Sequence, residues 1–362
     1  MTSFETFRLG PLQVPRIWTG LWQLSSNAWG STSASKIRQA MSRHLESGYT
    51  AFGTHGMILW HRIFIDLSHH PPFPRILQAD HYGSAEIIFG QFRQSQRSPS
   101  DVIGATKWCV FKTIAPTRDV VEAAVRERLQ RMQTDHVDLL QFHWQEYGNK
   151  EYLPTLEILQ DLQNNGLITA IGLCNFDAVH TDEICTQLGR GVIVSNQVQF
   201  SLIDTRPLHG MSDVCDRHGL KLLTYGTVCG GFLADKWLNQ PEPDSYTGNL
   251  TPSQRKYLDM IVKAWGDWTL FQSLLSALRI IGDRHGGVSI ANVATRWVLD
   301  HHFVGAVIIG ARLGISEHPA DNSRVFEFAL TEEDRAAIET VLELSNGRRM
   351  ITTIGDCGAE YR

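Results

Sequence analysis

The chain has 362 residues, of which 43% are hydrophobic and 20% are charged, and its formal net charge is −5. This length and composition can build one large α/β barrel with an extensive core. Because the charge is slightly negative and no run of lysines or arginines occurs, the sequence predicts neither a nucleic-acid partner nor a polybasic membrane anchor.

Six cysteines are scattered along the sequence without a CxxC pair. This pattern is typical of reduced thiols in a cytosol, and it disfavours a disulfide framework or a zinc site. Residues 1–8 contain no apolar signal core, and no later stretch is apolar for long enough to cross a bilayer. We therefore expect a cytoplasmic protein without a membrane partner.

Apolar runs of strand length alternate with amphipathic stretches of helix length, after a short hairpin predicted near residues 7–10. The eight predicted strands are residues 16–24, 50–53, 102–107, 137–143, 169–176, 192–200, 220–225 and 304–309. The predicted helices include residues 35–48, 84–92, 119–132, 152–165 and 211–218. This order predicts an α/β fold, the (β/α)8 TIM barrel, as one domain over residues 1–362. A doubly wound sheet is disfavoured because the sequence has no GxGxxG turn.

A long segment at residues 230–272 interrupts the alternation between the seventh strand and its helix. It is rich in tryptophan, proline and polar residues. A long loop on the active rim of a barrel commonly forms a lid or a substrate wall. A solvated excursion with one small helix explains the composition equally well, so both interpretations stay open.

Three chemically different side chains are predicted at the ends of apolar runs. Tyr82 lies just before a predicted helix. Lys107 ends the third predicted strand, and His143 ends the fourth. Parallel barrels carry their chemistry at the rim formed by the C-terminal ends of the strands. A phenol, an ammonium and an imidazole are therefore expected to meet at that rim.

The motifs around these residues resemble those of the aldo-keto reductase family, in its aryl-alcohol dehydrogenase-like branch. Asp-x-Tyr-Gly-Ser around Tyr82, Thr-Lys-Trp around Lys107 and Gln-Phe-His-Trp around His143 carry the likeness, which extends over nearly the whole chain. The resemblance implies NADPH-dependent reduction of an aldehyde or ketone to an alcohol by direct hydride transfer, without a metal.

The resemblance also implies a role for each of the three residues. Tyr82 would donate the proton to the carbonyl oxygen. A phenol has a pKa of about 10 in water, and the Lys107 ammonium would stabilise the phenolate and lower that pKa. His143 would orient the carbonyl, because an imidazole donates a hydrogen bond from one nitrogen and accepts one at the other.

The family's aspartate, which pairs with the lysine, is missing from its expected place. The position five residues before Tyr82 is Leu77, and the residue after Phe52 is Gly53. In the family these two halves of one motif are contiguous, whereas here an insert at residues 53–78 separates them. Loss of the carboxylate would push the lysine toward its neutral form and weaken the activation of the phenol.

Four explanations of the missing aspartate stay open. Asp80 could turn inward, Asp66 in the insert could return to the lysine, or the pair could be lost and the activity low. The fourth explanation is that the insert is a translated intron left by a wrong gene model, since both of its flanks match the family.

Cofactor binding is implied by matches at family positions outside the insert. They are Cys174, Asn175 and Gln197 for the nicotinamide carboxamide, Tyr225 for stacking on the ring, Gly226, Thr227, Gly230 and Lys236 for the pyrophosphate, and Gly310, Arg312, Ser316 and Asn322 for the adenosine 2′-phosphate. Cys174 departs from the family's serine and is a poorer hydrogen-bonding group. A guanidinium can fork onto a phosphate, so the resemblance favours NADP(H) over NAD.

The sequence offers weak signals for other sites and one alternative function. The histidine pairs at 69–70 and 301–302 lack the i, i+4 spacing of a helical metal site, so no metal is predicted. Trp22, Trp108 and Trp144 follow predicted strands and either line an aromatic pocket for a small carbonyl substrate or pack in the core. Regulatory subunits of membrane channels in the family are similar in fold, so a barrel that binds NADP with little turnover is the alternative function.

Overall fold

The computed structural model describes residues 4–25, 30–53, 83–245 and 250–362. An antiparallel hairpin, β1 (Thr6–Leu9) and β2 (Leu12–Pro15), precedes the eight strands of the barrel. These are β3 (Ile17–Gly20), β4 (Ala51–Gly53), β5 (Ile103–Val110), β6 (Val137–Trp144), β7 (Ile168–Cys174), β8 (Ile193–Gln199), β9 (Lys221–Tyr225) and β10 (Val304–Gly310). They pair in parallel in the order β10-β3-β4-β5-β6-β7-β8-β9 and close, which confirms the predicted (β/α)8 barrel.

The barrel strands are buried on both faces, as parallel strands covered by helices must be. Every residue of β6 and of β8 is buried. Inside the barrel, Leu139 and Val194 belong to a cluster that also contains Leu9 and Val14 of the hairpin. The hairpin therefore packs against the barrel interior at the N-terminal ends of the strands and leaves the opposite rim for the site.

The helices surround the barrel. They are α1 (Ala34–Glu46), α2 (Gly83–Gln94), α3 (Arg118–Met132), α4 (Tyr152–Asn164), α5 (Ala178–Leu188), α6 (Met211–His218), α7 (Pro252–Asp259), α8 (Trp268–Arg284), α9 (Ile290–Leu299), α10 (Pro319–Ser323), α11 (Glu332–Leu342) and α12 (Met350–Ile354). Thr117 and Asp267 start α3 and α8 by accepting a backbone hydrogen bond, as N-cap side chains do. No helix in the described ranges is long and apolar enough to cross a membrane.

Two predicted strand ends differ from the structure by three residues or more. The first barrel strand stops at Gly20, and a 3-10 helix follows at Trp22–Ser25. The strand β5 continues past Lys107 to Val110, so Trp108 lies within it rather than after it. Trp108 and Trp144 are both buried in the main hydrophobic core, so packing explains these two tryptophans.

The segment 230–272 is not one irregular loop. In its described part it contains α7 and a π-helical turn at Met260–Trp265, and the helix α8 already begins at Trp268. Of the insert at 53–78, only Gly53 lies within the described residues, as the last residue of β4.

A buried ion pair joins a helix to two neighbouring strands. Asp138 on β6 accepts hydrogen bonds from Nη1 and Nη2 of Arg93 on α2, at 2.9 and 3.2 Å. The same carboxylate accepts the backbone N–H of Gly104 on β5 at 2.8 Å. Both charged side chains are almost fully buried, so each depends on the other for compensation of its charge.

We predict that Asp138→Ala destabilises the fold by about 3–5 kcal/mol, because it leaves the Arg93 charge buried and unpaired. Urea unfolding measures the change. As a control, Glu339→Ala breaks an exposed ion pair with Arg348 and should cost less than about 1 kcal/mol. Equal costs for the two variants would contradict the buried-pair account.

Candidate active site at the C-terminal rim

A cavity of 570 Å³ lies at the C-terminal ends of the barrel strands. Its wall includes Gly20 at the end of β3, Tyr225 at the end of β9 and Gly310 at the end of β10. Parallel barrels place their binding and catalytic groups at this rim. The cavity therefore lies where the sequence predicted the chemistry.

Most of the residues predicted to bind a cofactor share this cavity. They are Asn175, Gln197, Tyr225, Gly226, Thr227, Gly230, Lys236, Gly310, Arg312, Ser316 and Asn322. Lys107 lines it as well, whereas His143 and Cys174 are fully buried and are not part of its wall. Tyr82, Leu77, Asp66 and Asp80 lie outside the described residues.

Lys107 is buried and reaches the cavity from β5. Among the residues that the structure describes, no carboxylate forms an ion pair with it. Its ammonium instead contacts the thiol of Cys174: burial raises the pKa of that thiol, and the charge and hydrogen bond of Lys107 oppose the shift. The described residues thus place a cation at the rim without the carboxylate that the family pattern would supply.

His143 is a neutral imidazole with a fixed tautomer. Its Nδ1 lies 2.9 Å from the carbonyl oxygen of Cys174, which can only accept, so Nδ1 carries the proton. Burial, with a smaller contribution from the charge of Lys107, lowers the pKa of His143 to about 4 despite the favourable carbonyl contact. Its Nε2 has no hydrogen-bond partner among the described residues and is left as an acceptor.

Asn175 and Tyr225 are tied together beside the lysine. Asn175 follows β7 with a left-handed φ of 59°, and its N–H donates to the carbonyl of Gln197 at 2.9 Å. The Tyr225 hydroxyl donates to Oδ1 of Asn175 at 2.9 Å. A left-handed backbone is tolerated by asparagine better than by most residues, which suits this residue type to the turn after β7.

The loop after β9 approaches the cavity through Gly226, whose φ is +74°. A Cβ at this position would overlap the hydroxyl of Tyr257 on α7. Thr227 then donates from its hydroxyl to the Phe200 carbonyl at 3.0 Å, which holds the loop against β8. Glycine is thus required by both the backbone angle and the close contact with α7.

The part of the wall that contains Arg312 and Ser316 also contains two carboxylates, Glu317 and Asp321. Glu317 forms an ion pair with Arg43.

The carboxylate of Asp321 is hydrogen-bonded by neutral side chains. Its oxygens accept hydrogen bonds from the Ser289 hydroxyl at 2.9 Å and from the Asn292 amide at 3.3 Å. Both carboxylates near the arginine therefore have partners of their own.

Lys256 and Tyr361 are among the wall residues that could not be predicted from the sequence. The ammonium of Lys256 donates to the Tyr361 hydroxyl at 3.1 Å, and burial lowers the pKa of Lys256 to about 7 although Glu360 opposes that shift. A capping box formed by Thr251 and Gln254 marks the start of α7. That signal predicts the helix, but no local pattern places residue 361 against strands more than a hundred residues away.

Comparison with known proteins agrees with the rim geometry. The model of the Aldo/keto reductase family matches residues 16–343. Aldo-keto reductase YhdN of Bacillus subtilis (strain 168) is 24% identical over 345 residues, which cover 92% of this chain and 91% of that protein. A glycerol dehydrogenase from Gluconobacter oxydans has a similar structure, with a TM-score of 0.71 at 19% identity and coverage of 94% of this chain and 95% of that one.

A second solved structure, an aldo-keto reductase from Klebsiella pneumoniae in complex with NADPH, has a TM-score of 0.65 at 18% identity, covering 94% of this chain and 95% of that one. The family model indicates a barrel oxidoreductase of the class that reduces carbonyl compounds, generally with a nicotinamide cofactor. The chain belongs to the Aldo/keto reductase family.

We predict that the His143 ring stays neutral, with the proton on Nδ1, down to about pH 5, because burial lowers its pKa to about 4. Ring 15N shifts in histidine-labelled protein test this, with the His143→Gln variant identifying the signal. At pH values between the folded pKa and the ordinary value of about 6.5, this imidazole is protonated in the unfolded chain but not in the folded protein. The contribution of His143 to the free energy of unfolding therefore decreases as pH falls through that window. A titration midpoint at or above the ordinary value would contradict the assignment.

Proposed function

We propose that the chain reduces an aldehyde or ketone to an alcohol with NADPH, with Tyr82 as the proton donor. The observation that carries this proposal is that Lys107, Asn175, Gln197 and Tyr225 line one cavity. Its volume of 570 Å³ falls in the range of about 300–1,000 Å³ that is common for small-molecule and cofactor sites.

When bound, the nicotinamide supplies the hydride. In our proposal the amide side chains of Asn175 and Gln197 hold its carboxamide, and the ring of Tyr225 packs against one of its faces. Offset stacking on an aromatic ring fixes the orientation of a bound ring, so Tyr225 would determine which face turns toward the substrate. Asn175 is well suited to this role because the hydroxyl of Tyr225 already orients its side chain.

The proton reaches the carbonyl oxygen from the protein. In our proposal Tyr82 donates it, and the Lys107 ammonium stabilises the phenolate that remains. His143 has its proton on Nδ1, so its Nε2, which has no partner among the described residues, can accept a hydrogen bond. We therefore assign His143 to accept a hydrogen bond near the rim rather than to donate one to the carbonyl.

The choice of NADPH over NADH rests on the wall around Arg312. A guanidinium presents parallel N–H donors that fit phosphate oxygens, and Ser316 and Asn322 add neutral hydrogen-bonding groups beside it. The nearby Glu317 is engaged by Arg43, so its charge is partly compensated. This arrangement supports binding of the adenosine 2′-phosphate.

We predict that Arg312→Gln weakens NADPH binding by about 10- to 100-fold and leaves NADH binding within a few-fold, because charge-assisted hydrogen bonds to a phosphate contribute about 1.5–3 kcal/mol. Fluorescence titration of both cofactors measures the difference. Arg324→Gln, which removes an arginine paired with Glu327 away from the cavity, is the matched control. Equal weakening of NADPH and NADH by Arg312→Gln would contradict the assignment.

The second candidate function is a barrel that binds NADP with little turnover. The observation that favours it is that Lys107 has no carboxylate partner among the described residues. In our proposal the missing carboxylate leaves the lysine less firmly held beside the phenol that it is to activate. Both functions require cofactor binding, so turnover separates them.

We predict that the full chain oxidises NADPH in the presence of aromatic aldehydes, and that Lys107→Met lowers kcat by at least about 100-fold while NADPH still binds. Lys150→Met, at an exposed lysine paired with Glu183, should retain full activity. The same assay on a version in which residues 53–78 are replaced by the family's Asp-x tests the alternative. Turnover by the shortened version alone would establish low-turnover binding for the full chain.

A further inference from the structure

The segment 355–362, called the strap here, folds back onto the rim of the barrel. Tyr361 of the strap lines the same cavity as Tyr225 and Asn175, although its side chain is only 8% exposed. Its hydroxyl oxygen lies 2.8 Å from that of Tyr225 and 3.1 Å from Nζ of Lys256. A residue distant in the chain thus contacts the part of the wall that we assign to the nicotinamide.

The hydrogen bonds around Tyr361 have a single consistent direction. Oδ1 of Asn175 can only accept, so the one proton of the Tyr225 hydroxyl is committed to it at 2.9 Å. The Tyr361 hydroxyl must then donate to Tyr225, and its own oxygen accepts from Lys256. The result is a directed chain from Lys256 through Tyr361 and Tyr225 to Asn175.

Aromatic contacts hold the ammonium at the start of this chain. Nζ of Lys256 lies 5.7 Å from the ring centre of Tyr225, 5.1 Å from that of Tyr257 and 5.4 Å from that of Tyr361. Distances within about 6 Å allow attraction between a cation and the face of a ring. The helix α7 and the strap are therefore joined at the same point of the cavity wall.

The strap is anchored by a buried network of charges. The guanidinium of Arg206 donates two hydrogen bonds to the Glu360 carboxylate, at 2.8 and 2.9 Å, and two to the Asp204 carboxylate, at 2.9 and 2.8 Å. Burial alone would raise the pKa of Glu360, but Arg206 and Lys256 hold that pKa at about 2, so the carboxylate stays ionised. Arg206, Asp204 and Glu360 are buried, and removal of one would leave the others uncompensated.

Close backbone packing fixes the strap further. Gly358 has a φ of +75°, and a Cβ there would overlap the carbonyl of Asn175. The same carbonyl accepts a hydrogen bond from Nη1 of Arg362 at 2.9 Å, and Arg362 also donates to the Tyr147 hydroxyl at 3.0 Å. These contacts make the strap a fixed part of the wall rather than a cover that opens.

We infer that Tyr361 is a positioning residue for the nicotinamide pocket, which fixes the ring of Tyr225 and the amide of Asn175 through its hydroxyl. The inference rests on the proposed function, since it assigns the nicotinamide to these two side chains. Without the Tyr361 hydroxyl, Tyr225 loses one of its two hydrogen bonds and Lys256 loses its phenolic acceptor, so the stacking surface is held less firmly.

The test compares two ligands on three proteins. NADPH occupies the whole site, whereas adenosine 2′,5′-bisphosphate has the adenosine end without the nicotinamide. Tyr361→Phe keeps the ring and removes the hydroxyl. Tyr147→Phe is the matched control, because it removes a hydroxyl that also contacts the strap, through Arg362, but lies outside the cavity wall.

We expect Tyr361→Phe to weaken NADPH binding by about tenfold, the effect of leaving one buried hydrogen-bonding group unsatisfied. Binding of adenosine 2′,5′-bisphosphate should stay within twofold, which also shows that the variant is folded. Tyr147→Phe should change neither affinity. Calorimetric titration measures all six values.

The remaining outcomes separate a failure of the proposed function from a failure of the inference. If the unaltered chain binds neither ligand, the proposed function fails and the inference falls with it. If the unaltered chain binds both and Tyr361→Phe binds NADPH equally well, the inference alone is overturned. If Tyr361→Phe weakens both ligands to the same extent, Tyr361 has a merely structural role and the inference is likewise overturned.

Discussion

The constraint on which the rest depends is the parallel register of the closed barrel. In the pairing of β5 with β6, Lys107 lies opposite Gln141 and Cys109 lies opposite His143. In the pairing of β7 with β8, Cys174 lies opposite Gln197. A slip of one residue would turn each of these side chains to the other face of its strand. The register of the closed barrel thus determines which side chains pack in the core and which polar groups lie at the rim.

The electrostatics of the rim follow from burial at those fixed positions. His143 avoids the cost of a buried charge by staying neutral, and Arg206 avoids it by binding two carboxylates. Lys107 carries its charge next to a thiol, with no carboxylate from the described residues. A cation in that position favours a negative group beside it, and the phenolate of Tyr82 is the group that our proposal supplies.

The barrel and most of the site could be predicted from the sequence, because apolar runs locate strands and strand ends locate the rim. The strand end at Gly20 was missed because an apolar pattern continues into the 3-10 helix that follows it. Trp108 was misplaced because β5 continues three residues beyond Lys107. Tyr361 could not be predicted, since its place depends on the buried Arg206 network rather than on any local pattern. The placement of Tyr82 lies outside the described residues and stays a prediction.

The proposed function requires that a dinucleotide binds in the rim cavity. A crystal structure of the full chain grown with NADPH tests this most directly. We expect the nicotinamide ring to lie on Tyr225 with its carboxamide at Asn175, and the 2′-phosphate to contact Arg312. A dinucleotide bound outside this cavity, or a nicotinamide ring away from Tyr225, would contradict the account.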